Sequence, residues 1–266
     1  MKLKGKVAVV TGGGRGLGRA YVLHLASLGA DVVINDIDLN AAAEYNEQLT
    51  APTVMAEVEA MGCRALGIQA DVMNKDAVDG MFEEALGAFG RIDILVNNAG
   101  GALHTPPNNS AATADIDHYK YTMDLNLTSA ILCCQAASRP MKEQRSGKIV
   151  NVSSQAGLWS GRDGGHVGYK VAKAGVAHYT RVLAAELGPY NIHVNSIAPG
   201  WILSSRAVAG GRDSEETRAK LLPQIPLRRM GLPEDCAKVV EFLVTDLSDY
   251  VTGQCIPICG GVVAWS

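Results

Sequence analysis

The sequence lacks several features that would assign it to a particular class of protein. Its six cysteines form no Cys-x-x-Cys pair and no Cys/His spacing of the zinc-site type, so we predict free thiols and no metal site. No long lysine and arginine cluster is present and the formal net charge is −3, which argues against nucleic acid and anionic membranes as partners. No uninterrupted apolar run approaches the roughly 20 residues that span a bilayer. Small molecules remain the expected partners.

The sequence also lacks specialised segments. The opening stretch MKLKGKVAVV contains neither the apolar run nor the cleavage site of a signal peptide, and unpaired cysteines fit a reducing compartment, so we expect a cytoplasmic protein. No repeat, low-complexity tract or linker marks a domain boundary. With 266 residues, 47% of them hydrophobic, the chain can bury one large core. We predict a single domain over residues 1–266.

Short Val/Ile-rich segments alternate with longer helical patterns along the whole chain. Their near-continuous apolar character means that both faces of a parallel sheet are covered by helices, and right-handed crossovers then give a doubly wound α/β fold. Residues 38–60 are long for one crossover and contain Pro52, so we expect a helix preceded or broken by an irregular piece. The seven predicted strands are residues 6–10, 31–35, 64–70, 92–98, 147–153, 192–198 and 254–258.

A glycine-rich turn, TGGGRGLGRA, follows the first predicted strand at residues 11–20. Glycines there let backbone N–H groups approach a pyrophosphate, whose charge is favoured by the positive end of the helix dipole. Glycine alone is weak evidence, because tight turns also need it for steric reasons. Here a strand ends at Val10, a helix begins near Gly16, and Asp36 ends the second strand about twenty residues further on. The pattern predicts a Rossmann-type dinucleotide site.

Two residues near this turn bear on the choice of dinucleotide. The carboxylate of Asp36 can accept hydrogen bonds from both adenosine ribose hydroxyls and would repel a 2′-phosphate. Arg15 favours NADP instead, because a guanidinium in the turn could pair with that phosphate. We expect the acidic residue to decide, since a phosphate beside it would bring two like charges into contact. The predicted cofactor is therefore NAD.

The stretch GYKVAKAGV, residues 168–176, places Tyr169 and Lys173 four positions apart on a predicted helix. Such neighbours can be an exposed pair of little energetic consequence. They can also be functional, because an ammonium lowers the pKa of a nearby phenol and an ordinary phenol, with a pKa of about 10, is a poor base at neutral pH. The spacing alone leaves both interpretations open.

Six motifs in order resemble the short-chain dehydrogenase/reductase family in its classical NAD(P)-binding form, and they cover essentially the whole chain. The motifs are TGGGRGLG (11–18), NNAG (97–100), DLNL (124–127), NVSS (151–154), YKVAK (169–173) and APG (198–200). The resemblance implies a catalytic tetrad. In it Tyr169 is the acid/base, Ser154 polarises the substrate oxygen, Lys173 assists the phenol and holds the nicotinamide ribose, and Asn126 positions a water.

The same resemblance implies the residues of the cofactor site and the reaction. The implied reaction interconverts a secondary alcohol and a ketone with NAD(H). A 3-oxoacyl or 3-hydroxyacyl thioester oxidoreductase is the alternative within the class, and a non-catalytic dinucleotide sensor is the alternative outside it. The implied cofactor-binding residues are Gly12, Arg15, Gly16, Leu17, Gly18, Asp36, Asp71, Val72, Asn97, Asn98, Ala99, Gly100, Tyr169, Lys173, Pro199, Gly200, Ile202 and Ser204.

Two features depart from the family pattern. Fifteen residues separate Ser154 from Tyr169, about two more than is usual in the family, so the adjacent Ser153 is a minor alternative for the serine of the tetrad. Near the C-terminus the chain has CGG, beginning at Cys259, where the family commonly has Asp-Gly-Gly. A thiol in this apolar neighbourhood is expected to pack rather than to sense redox state.

Three loops are the expected walls of a substrate site, because ligands bind beyond the carboxyl ends of the strands in this architecture: residues 100–107, 157–168 and 200–222. A polar substrate such as a sugar, polyol or hydroxy acid is favoured over a steroid, and an acyl thioester stays possible. We expect the charged loop residues to be solvated. The conspicuous side chains are Trp159, Trp201, His104, His166, Arg162, Asp163, Arg206, Arg212 and Asp213.

Two long predicted helices, near residues 115–143 and 167–188, are apolar on more than one face. A symmetric partner is the simplest way to bury such a second face. Members of the family resembled here are commonly tetramers, so we predict a homotetramer in which Ala177 lies in a close helix contact.

Overall fold

The computed structural model describes residues 1–102, 109–161 and 164–264, and its centre is a seven-stranded, wholly parallel sheet. The strand order is β3-β2-β1-β4-β5-β6-β7, which is that of a doubly wound fold. Every predicted strand is confirmed, with its ends within two residues of those expected. The strands are β1 (Val7–Thr11), β2 (Asp31–Asp36), β3 (Ala65–Gln69), β4 (Ile94–Asn97), β5 (Gly147–Val152), β6 (Ile192–Pro199) and β7 (Cys255–Ile258).

Helices connect the strands and cover both faces of the sheet. The segment around Pro52 is irregular as expected, with a 3-10 turn at Ala43–Tyr45 before the next helix. The α-helices of the described ranges are α1 (Gly16–Ser27), α2 (Val54–Ala60), α3 (Lys75–Phe89), α4 (Ile116–Met123), α5 (Ser129–Gln144), α6 (Gln155–Leu158), α7 (Val167–Leu187), α8 (Ser205–Ala209), α9 (Glu215–Leu221) and α10 (Pro233–Val244).

Two apolar layers make up the core, one on each face of the sheet. Helices α1, α2 and α10 pack on one face through side chains such as Leu25, Val58 and Val240. Helices α3, α5 and α7 pack on the other through side chains such as Phe82 and Leu187. Because successive strand residues point to opposite faces, an almost continuously apolar strand can serve both layers.

The sheet brings the carboxyl ends of its strands to one edge. Strand order reverses between β1 and β4, which lie side by side although they are distant in sequence. Loops that leave neighbouring strands in opposite directions at such a point open a crevice, and this is where ligands of doubly wound proteins bind. Four of the six motifs lie at the ends of β1, β4, β5 and β6 at this edge, and Asp36 ends β2 there.

Two expectations about composition can be compared with the fold. All six cysteines are free, as predicted from their spacing. Over the ranges that the structure describes, we find no helix with the length and apolar character required for a membrane span.

Helix α7 has an exposed side, but Ala177 does not lie on it. Ala177 is only 2% exposed and packs inside the subunit, so it is not available for a contact with another copy. The exposed stripe of the same helix contains Val171, Ala174, His178 and Val182, the last of which is 57% exposed. Ala177 was misassigned because neighbouring helix residues are about 100° apart, and an alanine fits either side of a helix.

Candidate active site

A cleft of about 930 Å³ lies at the carboxyl edge of the sheet, and most of the predicted site residues line it. The predicted residues that it brings together are Gly12, Arg15, Gly16, Leu17, Gly18, Asp36, Asp71, Val72, Asn98, Ala99, Gly100, Ser154, Tyr169, Lys173, Pro199, Gly200, Ile202 and Ser204. Asn97 and Asn126 are not among its lining residues. His104, Arg162 and Asp163 lie outside the described residues.

The glycine turn between β1 and α1 is built for close approach of a ligand. Gly16 has a φ of 58°, a left-handed conformation that favours glycine. A Cβ on Gly18 would collide with the carbonyl of Gly12, so that position tolerates no side chain. The side chain of Asn98 fixes the turn from β4 by donating hydrogen bonds to the carbonyl oxygens of Thr11, at 3.1 Å, and Gly12, at 3.0 Å. The turn thus presents a cradle that a dinucleotide fits.

Asp36 lies at the end of β2, directly beside this turn. Its Oδ2 accepts a hydrogen bond of 2.9 Å from the N–H of Gly14, and the residue is only 9% exposed. The competing cation lines the same cleft but has other contacts, because the guanidinium of Arg15 stacks 4.3 Å from the ring centre of Tyr45 and lies 4.0 Å from the carboxylate of Glu44. The carboxylate is therefore the charge nearest the turn on this side.

A second carboxylate, which the sequence did not reveal, lies at the start of α1. Glu47 Oε1 accepts a hydrogen bond of 2.7 Å from the N–H of Gly16 and a short one from the hydroxyl of Ser205. Its Oε2 lies 3.4 Å from Nη1 of Arg19. An anion at a helix N-terminus is stabilised by the dipole. Since Glu47 belongs to an irregular segment without periodicity, only the folded chain could place it here.

Asn97 and Asn126, which do not line the cleft, form hydrogen bonds with residues around it. Asn97 is buried and donates hydrogen bonds to Asn151 Oδ1, at 2.9 Å, and to the carbonyl of Ala130. Asn126 is 1% exposed, accepts a 2.8 Å hydrogen bond from the N–H of Gly101 and donates one of 3.1 Å to its carbonyl. It lies in a π-helical turn, Asp124–Thr128, of a kind frequent at functional sites. Asn126 therefore holds the loop after β4 in place.

Tyr169 and Ser154 face each other across the cleft. Ser154 begins α6 and its Oγ accepts a hydrogen bond of 3.1 Å from the N–H of Ala156. Burial raises the pKa of the Tyr169 phenol, whereas a hydrogen bond with Ser154 and the charges of two arginines lower it in part. The alternative serine, Ser153, is turned away and donates its hydroxyl to the carbonyl of Lys173 at 2.7 Å. Ser154 is thus the serine in contact with the phenol.

Lys173 is buried one turn after the tyrosine. Its Nζ donates a hydrogen bond of 2.8 Å to the carbonyl of Val152 and lies 5.8 Å from the ring centre of Tyr169. Burial and the charge of Arg206 lower the pKa of Lys173 to about 8. The positive charges that partly lower the phenol pKa in this structure include those of Arg206 and Arg212.

These two arginines, Arg206 and Arg212, were expected to be solvated, but both line the cleft and are only partly exposed. The guanidinium of Arg206 packs on Gly101, where a Cβ would lie 2.5 Å from its Nη2. Arg212 donates a 2.9 Å hydrogen bond from Nη1 to the carbonyl of Ile202. A loop sequence carries no periodic signal that distinguishes an inward arginine from an outward one.

Cys259 is buried, as its apolar sequence neighbours predicted. It is 8% exposed, and its Sγ accepts a hydrogen bond of 3.3 Å from the N–H of Val263. A packing role is therefore supported for this thiol.

Comparisons with known proteins agree with this geometry. The family model described as "Enoyl-(Acyl carrier protein) reductase" matches residues 12–263. The chain is 46% identical to cyclohexanol dehydrogenase of Rhodococcus sp. (strain TK6) over 98% of its own length and 97% of that protein. A short-chain type dehydrogenase/reductase from Mycobacterium marinum superposes with a TM-score of 0.87 at 32% identity, covering 99% of this chain and 98% of the other.

A third comparison concerns a structure with a dinucleotide bound. NAD⁺-bound xylitol dehydrogenase superposes with a TM-score of 0.85 at 30% identity, covering 98% of this chain and 100% of the other. The matches extend over the whole chain in sequence and in structure. The chain is therefore a member of the short-chain dehydrogenase/reductase family, an oxidoreductase that acts on CH–OH groups.

Proposed function

We propose that this protein interconverts a secondary alcohol and a ketone with NAD(H), using Tyr169 as the general acid/base. The observation that carries the proposal is the meeting of Tyr169, Ser154 and Lys173 with the glycine turn in one cleft. When bound, the nicotinamide would accept or supply the hydride. The alcohol dehydrogenase among the relatives, which acts on cyclohexanol, supports a small substrate.

The side chains have separate tasks in oxidation of an alcohol. Tyr169, as phenolate, takes the hydroxyl proton, and the positive charges of Arg206 and Arg212 favour that ionised form. Ser154 donates a hydrogen bond to the oxygen that becomes the carbonyl, which stabilises its charge in either direction. Asn126 holds the backbone of Gly101, in the loop after β4, through two hydrogen bonds.

The proposed cofactor is NAD rather than NADP. Asp36 and Glu47 put a carboxylate on each side of the glycine turn. A 2′-phosphate beside Asp36 would meet a like charge, whereas ribose hydroxyls can donate hydrogen bonds to it. Arg15, the residue that could favour NADP, already stacks on Tyr45.

Removing the carboxylate of Asp36 should weaken the preference for NAD over NADP. Asp36→Ala is expected to lower the ratio of kcat/KM for NAD⁺ to kcat/KM for NADP⁺ by about tenfold or more, because the repulsion of the 2′-phosphate is lost. Adding Ile37→Arg, at a residue that is 66% exposed, should favour NADP⁺ further. Asp38→Ala, which removes a carboxylate outside the cleft lining, is the matched control and should change the ratio little. Wild-type protein that prefers NADP⁺ would contradict the assignment.

The experiment that tests the function is a substrate panel. Purified protein with NAD⁺ would be offered cyclic and linear secondary alcohols, sugars, polyols, hydroxy acids and 3-hydroxyacyl thioesters, with NADH formation followed by absorbance. Turnover of free alcohols supports the proposal. Turnover of thioesters alone would favour the 3-oxoacyl or 3-hydroxyacyl thioester alternative. Binding of NADH without turnover of any compound would favour a dinucleotide sensor.

We also propose a homotetramer that buries the exposed stripe of α7. Val182→Glu would place an unpaired charge in the helix contact and is expected to yield smaller species of reduced activity. Met61→Glu makes the same kind of change on the exposed end of α2 and should leave the assembly intact. Light scattering at micromolar concentration measures both. A monomeric wild type would contradict the tetramer, and a tetrameric Val182→Glu protein would contradict the use of this face.

A further inference from the structure

Arg206 and Arg212 form a cationic wall on the substrate side of the cleft. Arg206 belongs to the short helix α8 and Arg212 to the turn that follows it, with Gly210 and Gly211 between them. The Arg206 guanidinium rests on the backbone of Gly101, and both arginines lie close enough to Tyr169 for their charges to act on its phenol. A substrate oxidised at Tyr169 must therefore pass beside them.

Neither arginine has an anionic partner in the described part of the chain. The neighbouring carboxylates are engaged with other groups, since Asp213 lies 2.5 Å from Nη2 of Arg218 and Glu47 contacts Arg19 and Gly16. Asp36 accepts the N–H of the glycine turn. A partly buried guanidinium without a counter-charge is energetically unfavourable, so an anion entering the cleft would be stabilised.

The arginines also repel one another and their cationic neighbours. Burial lowers the pKa of Arg206, and the charge of Arg15 lowers it further. Burial likewise lowers the pKa of Arg212, and Arg206 contributes to that shift. Arg206 lowers the pKa of Lys173 as well. A bound anion would relieve all of these repulsions and would favour the ammonium form of Lys173.

The geometry of Arg212 suits a carboxylate. Its Nη1 is used by the carbonyl of Ile202, which leaves Nε and Nη2. These two donors point in parallel and match both oxygens of one carboxylate. Arg212 lines the cleft together with Tyr169 and Arg206, and the charges of these groups act on one another.

We propose that Arg212, together with Arg206, binds a carboxylate of the substrate, so that the alcohol oxidised by this protein is a hydroxy acid. This inference rests on the alcohol dehydrogenase function proposed above. It selects one substrate class from those that the sequence left open. The pyrophosphate of the dinucleotide is the other anion that could reach these arginines, and the test separates the two.

Binding of a non-reactive acid tests the subsite directly. Cyclohexanecarboxylate and its neutral analogue cyclohexanecarboxamide would be titrated into the protein, with and without NADH, by calorimetry. Wild type is expected to bind the acid about tenfold more tightly than the amide or better, as befits a charge-assisted pair. Arg212→Gln should remove most of this difference, Arg206→Gln should reduce it, and Arg212→Lys should keep part of it because the charge remains.

Arg218→Gln is the matched control, since Arg218 is exposed, belongs to the same loop region and pairs with Asp213. It should leave the affinity for the acid unchanged. Equal affinity of wild type for acid and amide would overturn the proposal, as would an Arg212→Gln variant that binds the acid normally. Arginine variants that bind NADH more weakly but still prefer the acid over the amide would also overturn the proposal. Such a result would indicate that these arginines bind the pyrophosphate of the dinucleotide instead.

Turnover separates this inference from the proposed function. The ratio of kcat/KM for 3-hydroxycyclohexanecarboxylate to kcat/KM for cyclohexanol should fall about tenfold or more in Arg212→Gln. Wild type that oxidises cyclohexanol with NAD⁺ but does not discriminate acid from amide would refute the subsite and leave the function standing. Selective binding of the acid without oxidation of any alcohol would support the subsite and refute the function.

Discussion

Tyr169→Phe protein is expected to bind NADH normally and to oxidise alcohols about 10³-fold more slowly than wild type, within the range typical of lost general acid/base catalysis. The substitution removes the phenolic hydroxyl and keeps the aromatic ring, so packing at the start of α7 is retained. Because the hydroxyl is the group that exchanges a proton with the substrate oxygen, the loss should appear in kcat. Steady-state kinetics with NAD⁺ and a fluorescence titration with NADH measure the two quantities.

A matched control for this experiment is available on the same helix. Tyr179→Phe removes another phenol of α7, one that belongs to the layer packed against α5 and lies outside the cleft lining. It should leave kcat near the wild-type value. If Tyr169→Phe also retained most of the wild-type kcat, Tyr169 could not be the acid/base, and the proposed mechanism would have to be abandoned.

Lys173→Met is expected to lower kcat by about 10²-fold and to weaken NADH binding. Methionine keeps an apolar side chain of similar length, so the buried position stays filled while the ammonium and its hydrogen bond to Val152 are lost. The rate should fall because a protonated Lys173, 5.8 Å from the ring centre of Tyr169, favours the phenolate. A change in affinity without a change in kcat would contradict this electrostatic role and leave only cofactor binding.

The same variant gives a pH-dependent signature in stability. The pKa of Lys173 is about 8 in the folded protein, against an ordinary value of 10.5. Between these values the unfolded chain binds more protons, so the free energy of unfolding of wild type gains from this group as pH rises. Lys173→Met lacks this rise in the free energy of unfolding with pH. We expect the variant to be the more stable protein near pH 7 and its advantage to shrink between about pH 8 and 10. Denaturation by urea at several pH values measures the difference, and an advantage independent of pH would contradict the lowered pKa.

Local patterns predicted the parts of the site that follow regular elements. The glycine turn comes directly after β1 and Asp36 ends β2, so strand periodicity alone places both at the carboxyl edge. Tyr169 and Lys173 lie on one helix and their relative position follows from its geometry. The sequence favoured Ser154 and kept Ser153 as a minor alternative, and only the fold shows that Ser154 contacts the phenol while Ser153 bonds to the backbone of Lys173.

Other residues could not be assigned from the sequence because their positions depend on contacts between distant segments. Glu47 lies in an irregular stretch and reaches the glycine turn only because that stretch folds back over α1. Arg206 and Arg212 have the composition of ordinary solvated loop residues, yet the loop turns them inward. Ala177 was assigned to the outer face of α7, although it packs inside the subunit.

The sequence by itself determined the doubly wound sheet and its seven strands, the position of the glycine turn after β1, and the placement of Tyr169 and Lys173 one helical turn apart. These follow from short-range periodicity and from residues a few positions apart, which the chain carries in one dimension. The tertiary structure alone decided the electrostatic environment of Tyr169, in which burial raises the pKa of the phenol and Ser154, Arg206 and Arg212 lower it in part. The reason is physical: burial and charge proximity are properties of three-dimensional distance, and side chains from other parts of the sequence set them here.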